Sequence, residues 1–210
     1  MDILLNVLKD KKIKEEIIIS GSKSESNRLL ILQNLFPEIS IKNLSNSDDS
    51  VHMQHALSTN KEIVDIGHAG TAMRFLTSYF AVKEGREVVL TGSERMQNRP
   101  IEILVNALQD LGADISYEDK VGYPPIRIKG KNITRNKVKI NGNVSSQYIS
   151  SLLLIASKLA QGLEIELLGK ITSVPYINMT LSLLTQLGIE NSFERNKINV
   201  YPKKSIEQLS

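Results

Sequence analysis

The chain repeats itself with a lag of 75–77 residues, and no other feature limits its possible folds as strongly. The positions that recur are Gly67, Gly85, Gly92, Pro100 and Gly112, which return as Gly142, Gly162, Gly169, Pro175 and Gly188. A shorter first copy carries GSKSESNR where the later two carry GHAGTAMR and GNVSSQYI. The sequence therefore predicts a single domain over 14–205, built from three related units at about 14–66, 67–141 and 142–205.

Each unit alternates short stretches rich in β-branched residues with longer helical stretches, which is typical of the α/β (or α+β) class. Strands are predicted at 15–20, 39–43, 62–66, 87–92, 125–130, 137–142 and 163–169. Helices are predicted at 24–36, 48–58, 70–83, 100–111, 145–160 and 175–187. With a short strand pair at its end, each unit reads βαβαββ.

The two helices of a unit differ in the distribution of their apolar residues. The second helix carries one apolar stripe, as Ile101, Leu104 and Leu108 show in the second unit. The first helix is apolar on nearly every side, and a helix of that kind belongs in the interior. We predict three central helices that are buried beneath outer strands and helices.

A polar segment stands at the N-terminus of each of these apolar helices. The first N–H groups of a helix lack partners and lie at the positive end of its dipole, so they attract anions. If the central helices are parallel, the polar segments converge, and the residues brought together are Lys23, Ser24, Arg28, Thr71, Arg74, Ser145 and Ser146. Guanidinium, ammonium and hydroxyl groups together favour a ligand with several phosphates or carboxylates.

Two other polar groups are explained more simply by structure than by chemistry. Asp48 and Asp49 are predicted to cap the helix that follows them and to favour its dipole. His52 and His55 lie three residues apart, but without a third ligand in reach they are predicted to face solvent rather than a metal. No metal site is therefore predicted.

Composition narrows the classes of protein further. The chain has no cysteine, which excludes disulfides, thiolate metal sites and a cysteine nucleophile. A net charge of +3 is compatible with acidic small substrates and too small to indicate nucleic acid by itself. No apolar run is long enough to span a bilayer and no secretory signal is recognisable, so we expect a cytoplasmic protein.

Six stretches, in order along the chain, resemble the motifs of the 5-enolpyruvylshikimate-3-phosphate synthase family. They are GSKSESNRLLIL, SDDSVHMQHAL, GHAGTAMRFLT, LTGSERMQNRPI, VSSQYISSLLLIA and SVPYINMTL. The resemblance implies transfer of the enolpyruvyl group from phosphoenolpyruvate to the 5-hydroxyl of shikimate 3-phosphate, with release of phosphate. It also implies that neither a metal nor an organic cofactor takes part, and that the partners are small molecules.

The resemblance also implies the residues of each substrate site. Those expected to bind shikimate 3-phosphate are Lys23, Ser24, Arg28, Ser145, Ser146, Gln147, Ser173 and Tyr176. Those expected to bind phosphoenolpyruvate are Lys23, Gly70, Arg99 and Gln147. Lys23 and Gln147 occur in both sets and are the implied catalytic residues. Thr71 and Arg74 are expected to support the loop rather than to touch a ligand.

Members of this family have two lobes, each of three units, with the active site between them, and this chain resembles one lobe. Residues 1–13 resemble a strand that belongs to the other lobe. That lobe would bring acid/base carboxylates that Asp48, Asp49 and Asp65 do not replace, because they stand in other motifs. We therefore expect the chain alone, a monomer, to be inactive.

The chain departs from the family pattern beside the implied phosphoenolpyruvate site. His68 stands where the family usually has Asn, and Phe75 where it usually has Pro. Both residues flank the implied phosphoenolpyruvate loop, so we expect the shape of this loop to differ.

Two alternatives remain at this point. The UDP-N-acetylglucosamine enolpyruvyl transferases share the implied fold, but they commonly use a loop cysteine, which this chain lacks. A module that binds anions or nucleic acid without catalysis would fit the basic segments KDKKIK and RNKVK. Against nucleic acid, aromatic residues that could stack on bases make up only 5% of the chain.

Overall fold

The computed structural model describes residues 16–206, and the predicted strand segment 1–13 lies outside this range. The helices are α1 (Lys23–Leu35), α2 (Asp48–Ser58), α3 (Gly70–Val82), α4 (Glu94–Gln97), α5 (Glu102–Leu111), α6 (Ser146–Ala156) and α7 (Val174–Gln186). The strands are β1 (Ile63–Asp65), β2 (Glu87–Thr91), β3 (Asp114–Tyr117), β4 (Ile126–Lys129), β5 (Lys137–Asn141), β6 (Leu163–Leu168), β7 (Asn191–Glu194) and β8 (Lys197–Val200). None of these helices is long and apolar enough to cross a membrane.

The strands form two four-stranded sheets of identical topology, with the orders β1-β2-β4-β3 and β5-β6-β8-β7. In each sheet the first two strands are parallel, joined through a buried helix, and an antiparallel hairpin completes the sheet. The predicted α/β class is therefore confirmed, and the βαβαββ order is found in both the second and the third unit. The boundaries of the three units stay a prediction.

The first copy forms the strand predicted at 62–66, as β1, but not the strands predicted at 15–20 and 39–43. Residues 16–20 and 39–43 are irregular in the structure. In the other two copies a hairpin pairs with the parallel strands, whereas here the chain passes from α2 to β1 through residues 59–62, with no hairpin between them. Without that neighbour the backbone groups of an isolated strand pair gain little, and Ile17 and Ile18 remain 80% and 92% exposed. The prediction at 15–20 and 39–43 is wrong for the described residues.

The core is built around α1, α3 and α6, as the apolar pattern predicts. Every residue of α3 from Gly70 to Ala81 is buried, and so is every residue of α6 except Gln147. Full burial of one large apolar side chain contributes about 1.5–3 kcal/mol, so these two helices supply much of the stabilisation. α5, by contrast, buries a single face.

The central helices α3 and α6 run parallel. Near their N-termini, the side chain of Gln147 donates to the Thr71 hydroxyl at 3.2 Å. Further along both helices, the hydroxyls of Ser78 and Ser151 lie 2.6 Å apart. Because the contacts advance in the same direction along both chains, the two N-termini lie at the same end of the core.

The helix bounds differ from the prediction mainly in the second and third units. The segment before Pro100, where no helix is predicted, contains the short helix α4, which inserts Met96 into the core. α6 ends at Ala156, not at 160, because the N–H groups of Lys158 and Leu159 bond to the carbonyls of Ile155 and Ala156, three residues back, and so form tight turns instead of a further α-helical turn. The apolar run had suggested a longer helix.

Candidate functional site

The N-termini of the three central helices meet at one surface, as predicted. The Nζ of Lys23 in α1 lies 3.9 Å from Oδ2 of Asp49 in α2. Oδ1 of Asp49 accepts a hydrogen bond from the backbone N–H of Thr71 in α3 at 3.2 Å. The Thr71 hydroxyl in turn accepts from Gln147 in α6 at 3.2 Å. We call this surface the helix-head face and define it by Lys23, Asp49, Thr71 and Gln147.

Asp48 and Asp49 lie in the first turn of α2, where negative charge favours the helix dipole as predicted, but neither caps that helix, so the capping part of the prediction is wrong. The cap position of α2 is Ser47. Asp49 instead binds the first turn of α3, which has no capping side chain of its own because Ala69 occupies the cap position. Asp48 lies 3.7 Å from Nε2 of His68. Both carboxylates act across helices, a relation that local spacing cannot reveal.

Arg28 is buried beneath the helix-head face and is 3% exposed. Its Nε donates to the Thr180 hydroxyl at 2.7 Å, and its Nη2 donates to the Ser150 hydroxyl at 3.0 Å. The carbonyl oxygens of Ser24, at 2.7 Å, and Tyr176, at 3.4 Å, accept from Nη1 and Nη2. Four of the five N–H groups therefore have partners, and one on Nη1 has none among residues 16–206.

No ion pair within residues 16–206 involves Arg28. Burial lowers its pKa to about 10, so that the guanidinium remains charged at neutral pH. A buried cation without a carboxylate is costly, and an anionic ligand at the free N–H would compensate it.

Arg74 ties the first turn of α3 to the turn that carries Arg99. Its Nη1 donates to the Gly70 carbonyl at 3.1 Å, and its Nη2 donates to the Pro100 carbonyl at 3.0 Å. The Tyr148 hydroxyl donates to the same Pro100 oxygen at 2.8 Å. Burial lowers the pKa of Arg74. Arg74 is thus engaged with backbone, in keeping with the supporting role expected for it.

Beside this turn is a cavity of about 180 Å³, lined by His68, Arg95, Met96 and Arg99. Arg99 lies directly against the backbone of Gly70, and a side chain at that glycine would collide with its guanidinium. The cavity therefore has two guanidinium groups at its wall, which suits a small anion with a carboxylate or a phosphate.

The serines expected to bind phosphate stand at the start of α6 and directly before α7. The backbone N–H of Thr172 donates to the Gly142 carbonyl at 2.9 Å, which joins the segment before Ser173 to the segment before Ser145 and Ser146. Ser173 precedes α7 with a left-handed backbone and its side chain makes no cap bond. The Ser145 hydroxyl accepts from the N–H of Gln147 at 3.3 Å.

The sequence did not indicate that Asp49 binds α3. It also did not indicate that Ser150 and Thr180 are the buried residues whose hydroxyls hold Arg28. No local signal distinguishes Asp49 from a helix cap. The serine was detectable, since Ser150 interrupts the apolar surface of a helix that is otherwise buried. Of the two predicted solvent-facing histidines, His55 is exposed, whereas His52 is half-buried with its ring against Gly67.

Replacing Tyr148 by phenylalanine should destabilise the turn at Pro100. The substitution removes one hydrogen bond from a residue that is 6% exposed, and the loss should be about 1 kcal/mol in the free energy of unfolding. For a chain of this size that lowers Tm by about 2–4 °C, measurable by scanning calorimetry. Tyr201→Phe, at a tyrosine that is 48% exposed, is the control and should leave Tm unchanged. Equal Tm values for both variants would contradict the assignment.

Comparison with known proteins agrees with this architecture. The family model described as EPSP synthase (3-phosphoshikimate 1-carboxyvinyltransferase) matches residues 56–209. A relative from Bacteroides fragilis (strain ATCC 25285), named 3-phosphoshikimate 1-carboxyvinyltransferase, is 47% identical over 194 residues, which cover 91% of this chain and 47% of the relative. A protein of the same name from Pasteurella multocida (strain Pm70) is 39% identical over 210 residues, covering 85% of this chain and 48% of its own length.

Among solved structures, the EPSP synthase of Acinetobacter baumannii at 2.37 Å superimposes with a TM-score of 0.72. The alignment covers 90% of this chain and 47% of that structure, at 19% identity, and so supports the fold alone. The chain spans about half the length of the relatives it matches. On the match of the family model and the identity to these relatives, the chain belongs to the EPSP synthase family.

Proposed function

We propose that this chain provides the shikimate 3-phosphate site of a 3-phosphoshikimate 1-carboxyvinyltransferase. The complete protein would transfer the enolpyruvyl group of phosphoenolpyruvate to the 5-hydroxyl of shikimate 3-phosphate and release phosphate. The observation that carries this proposal is Arg28, a buried guanidinium with one free N–H and no ion-pair partner within residues 16–206. Membership of the family supports the choice of reaction.

In this proposal the carboxylate of shikimate 3-phosphate binds Arg28 and Ser24. The 3-phosphate binds the hydroxyls of Ser145, Ser146 and Ser173. These serines stand at the N-termini of α6 and α7, where unpaired N–H groups and the helix dipole favour a phosphate. Tyr176, whose side chain is 49% exposed, is the remaining contact we assign to this substrate.

Phosphoenolpyruvate would occupy the cavity beside Arg99 and Gly70. Lys23 and Gln147, on the helix-head face, would lie between the two substrates. In the addition step the 5-hydroxyl oxygen bonds to C2 of the enolpyruvyl group, its proton leaves, and C3 gains a proton. Elimination then breaks the bond from C2 to the phosphate oxygen, and C3 loses a proton. The ammonium of Lys23 would stabilise negative charge on the phosphate during both steps.

Further expectations belong to the same proposal. We expect the complete protein to be a cytoplasmic monomer that acts on these two small molecules. We expect it to use neither a metal nor an organic cofactor, and to bind neither nucleic acid nor a membrane. Because the chain spans about half of its relatives, we also expect it to lack turnover by itself. Positioning of both substrates and proton transfer contribute many orders of magnitude to such rates, and one half of the site supplies only part of each.

Calorimetric titration of the 210-residue chain with shikimate 3-phosphate tests the proposal. Saturable binding to one site is expected, together with no release of phosphate when phosphoenolpyruvate is added. Mixing with a separately produced second half of a relative should then restore phosphate release. Absence of binding would contradict the assigned substrate site, and turnover by the chain alone would contradict the expected inactivity.

A further inference from the structure

Each buried arginine of the central bundle lies over an aromatic ring of the next central helix. Cζ of Arg28 in α1 is 5.4 Å from the ring centre of Phe75 in α3. Cζ of Arg74 in α3 is 5.8 Å from the ring centre of Tyr148 in α6. A cation within about 6 Å of an aromatic face is attracted by the negative charge of that face, and more strongly when water is excluded.

The ring of Phe75 has little freedom to move. The residue is 1% exposed and lies in α3, which is buried from Gly70 to Ala81. Close packing around such a side chain confines it to one rotamer, so the ring is a rigid surface for the guanidinium. It belongs to none of the substrate contacts proposed above.

Of the four hydrogen bonds of Arg28, only the one from Nη1 to the Ser24 carbonyl, at 2.7 Å, is a short bond to backbone, and the other three allow the guanidinium to tilt. Its partners Thr180 and Ser150 are hydroxyls, which can rotate to follow a tilted guanidinium. The bond to the Tyr176 carbonyl is long, at 3.4 Å. The ring of Phe75 contacts the guanidinium from α3, whereas Ser150 and Thr180 belong to α6 and α7, so it restrains the group from a further direction and resists the tilt that those bonds permit.

We propose that Phe75 is a positioning residue for Arg28, which holds the guanidinium plane so that its free N–H points towards a ligand carboxylate. The residue at position 75 thereby sets the affinity for the carboxylate end of the substrate. The inference rests on the proposed function for the identity of that ligand, and on the structure alone for the orientation of Arg28.

Phe75→Leu is the test, because leucine keeps an apolar side chain in the core and removes the aromatic face. Phe80→Leu is the matched control: Phe80 lies in the same helix and is 3% exposed, and it contacts the ring of Tyr79 instead of an arginine. Both variants lose a similar amount of buried surface. Phe75→Met and Phe80→Met repeat the comparison where a leucine variant does not fold.

The first measurement needs no ligand. In nitrogen-15 spectra, hydrogen exchange of the Arg28 Nε–H should accelerate about tenfold in Phe75→Leu, as expected when roughly 1.4 kcal/mol of positioning is lost, and change less than about twofold in Phe80→Leu. Unchanged exchange in Phe75→Leu overturns the positioning role.

The second measurement is calorimetric titration of the same proteins with shikimate 3-phosphate and with inorganic phosphate, which has no carboxylate. Kd for shikimate 3-phosphate should rise about fivefold or more in Phe75→Leu and less than about twofold in Phe80→Leu, while binding of phosphate is equal in both. An equal rise in the two variants overturns the inference. Accelerated Arg28 exchange in a chain that binds no shikimate 3-phosphate supports the positioning role and overturns the proposed function instead.

Discussion

Replacing Arg28 by lysine is expected to raise the Kd for shikimate 3-phosphate about a hundredfold, equivalent to about 2.7 kcal/mol. A lysine preserves the positive charge, but its single ammonium cannot reproduce a planar group that donates from three nitrogens. The hydroxyls of Thr180 and Ser150 would lose their charged donor, and the free N–H for the carboxylate would be lost with them. Hydrogen bonds to charged groups contribute about 1.5–3 kcal/mol each, so the loss of one ligand contact accounts for most of the effect.

Calorimetric titration of Arg28→Lys and Arg127→Lys gives a controlled comparison. Arg127 contacts Glu62, Glu87 and Glu118 on the surface of the first sheet, away from the helix-head face. Its replacement should leave Kd within about twofold of the original value, because it removes only exposed ion pairs. If both variants bind the substrate as tightly as the original chain, Arg28 does not hold the carboxylate.

Replacing Gly130 by alanine is expected to destabilise the chain by about 3 kcal/mol or more. A Cβ at this position would collide with the backbone carbonyl of Lys83 and approach that of Phe80 at the end of α3. Backbone atoms cannot rotate away as a side chain can, so β4 or α3 would have to move. Gly130 is also held by backbone hydrogen bonds to Arg86 and Gly85, which resist such a shift.

Gly169→Ala provides the matched control for that substitution. A Cβ at Gly169 would meet nothing within 4 Å, but the residue has a φ of 70°, so only the backbone preference is lost. A cost of about 1 kcal/mol is expected there. Urea unfolding of both variants separates collision from backbone strain. Should Gly169→Ala prove the more damaging of the two, the close approach of β4 to α3 is not what requires a glycine at position 130.

The two buried arginines make the ends of the central bundle electrostatically different. At the helix-head face, Arg28 and Arg74 lie among helix N-termini and backbone carbonyls, and neither forms an ion pair within residues 16–206. Lysines lie near the other end, where Lys158 stacks on the ring of Phe36 at the end of α1. Those cations offset the negative ends of the helices, whereas the arginines add to the positive ends. Positive charge that adds to a dipole attracts an anion.

The helices and most of the strands were predictable because their signals are local. Apolar periodicity distinguishes the buried α3 from the one-sided α5, and glycines mark the turns that separate the elements. The repeat then made one further step predictable. Because the three units are related, their buried helices were expected to run in the same direction. That direction places the residues near Lys23, Thr71 and Gln147 at the same end of the bundle.

The strands predicted at 15–20 and 39–43 in the first copy do not form, for a reason that no local pattern contains. Residues 39–43 alternate as a strand does, but a strand also needs a neighbour, and the hairpin present in the other copies does not follow α2. Asp49 was misassigned for a related reason. Its position at the start of a helix predicts a cap for that helix, and only the packing of α2 against α3 directs its carboxylate to Thr71.

The amino-acid sequence by itself thus determined the repeat, the class of fold, the three buried helices and the end of the bundle at which cations collect, since each depends on spacing along the chain. Only the tertiary structure decided which groups meet across helices. The contacts of Asp49 with Thr71 and of Phe75 with Arg28 join residues far apart in sequence. Their geometry depends on how closely and at what angle the helices pack, and packing is a property of the whole core rather than of any segment.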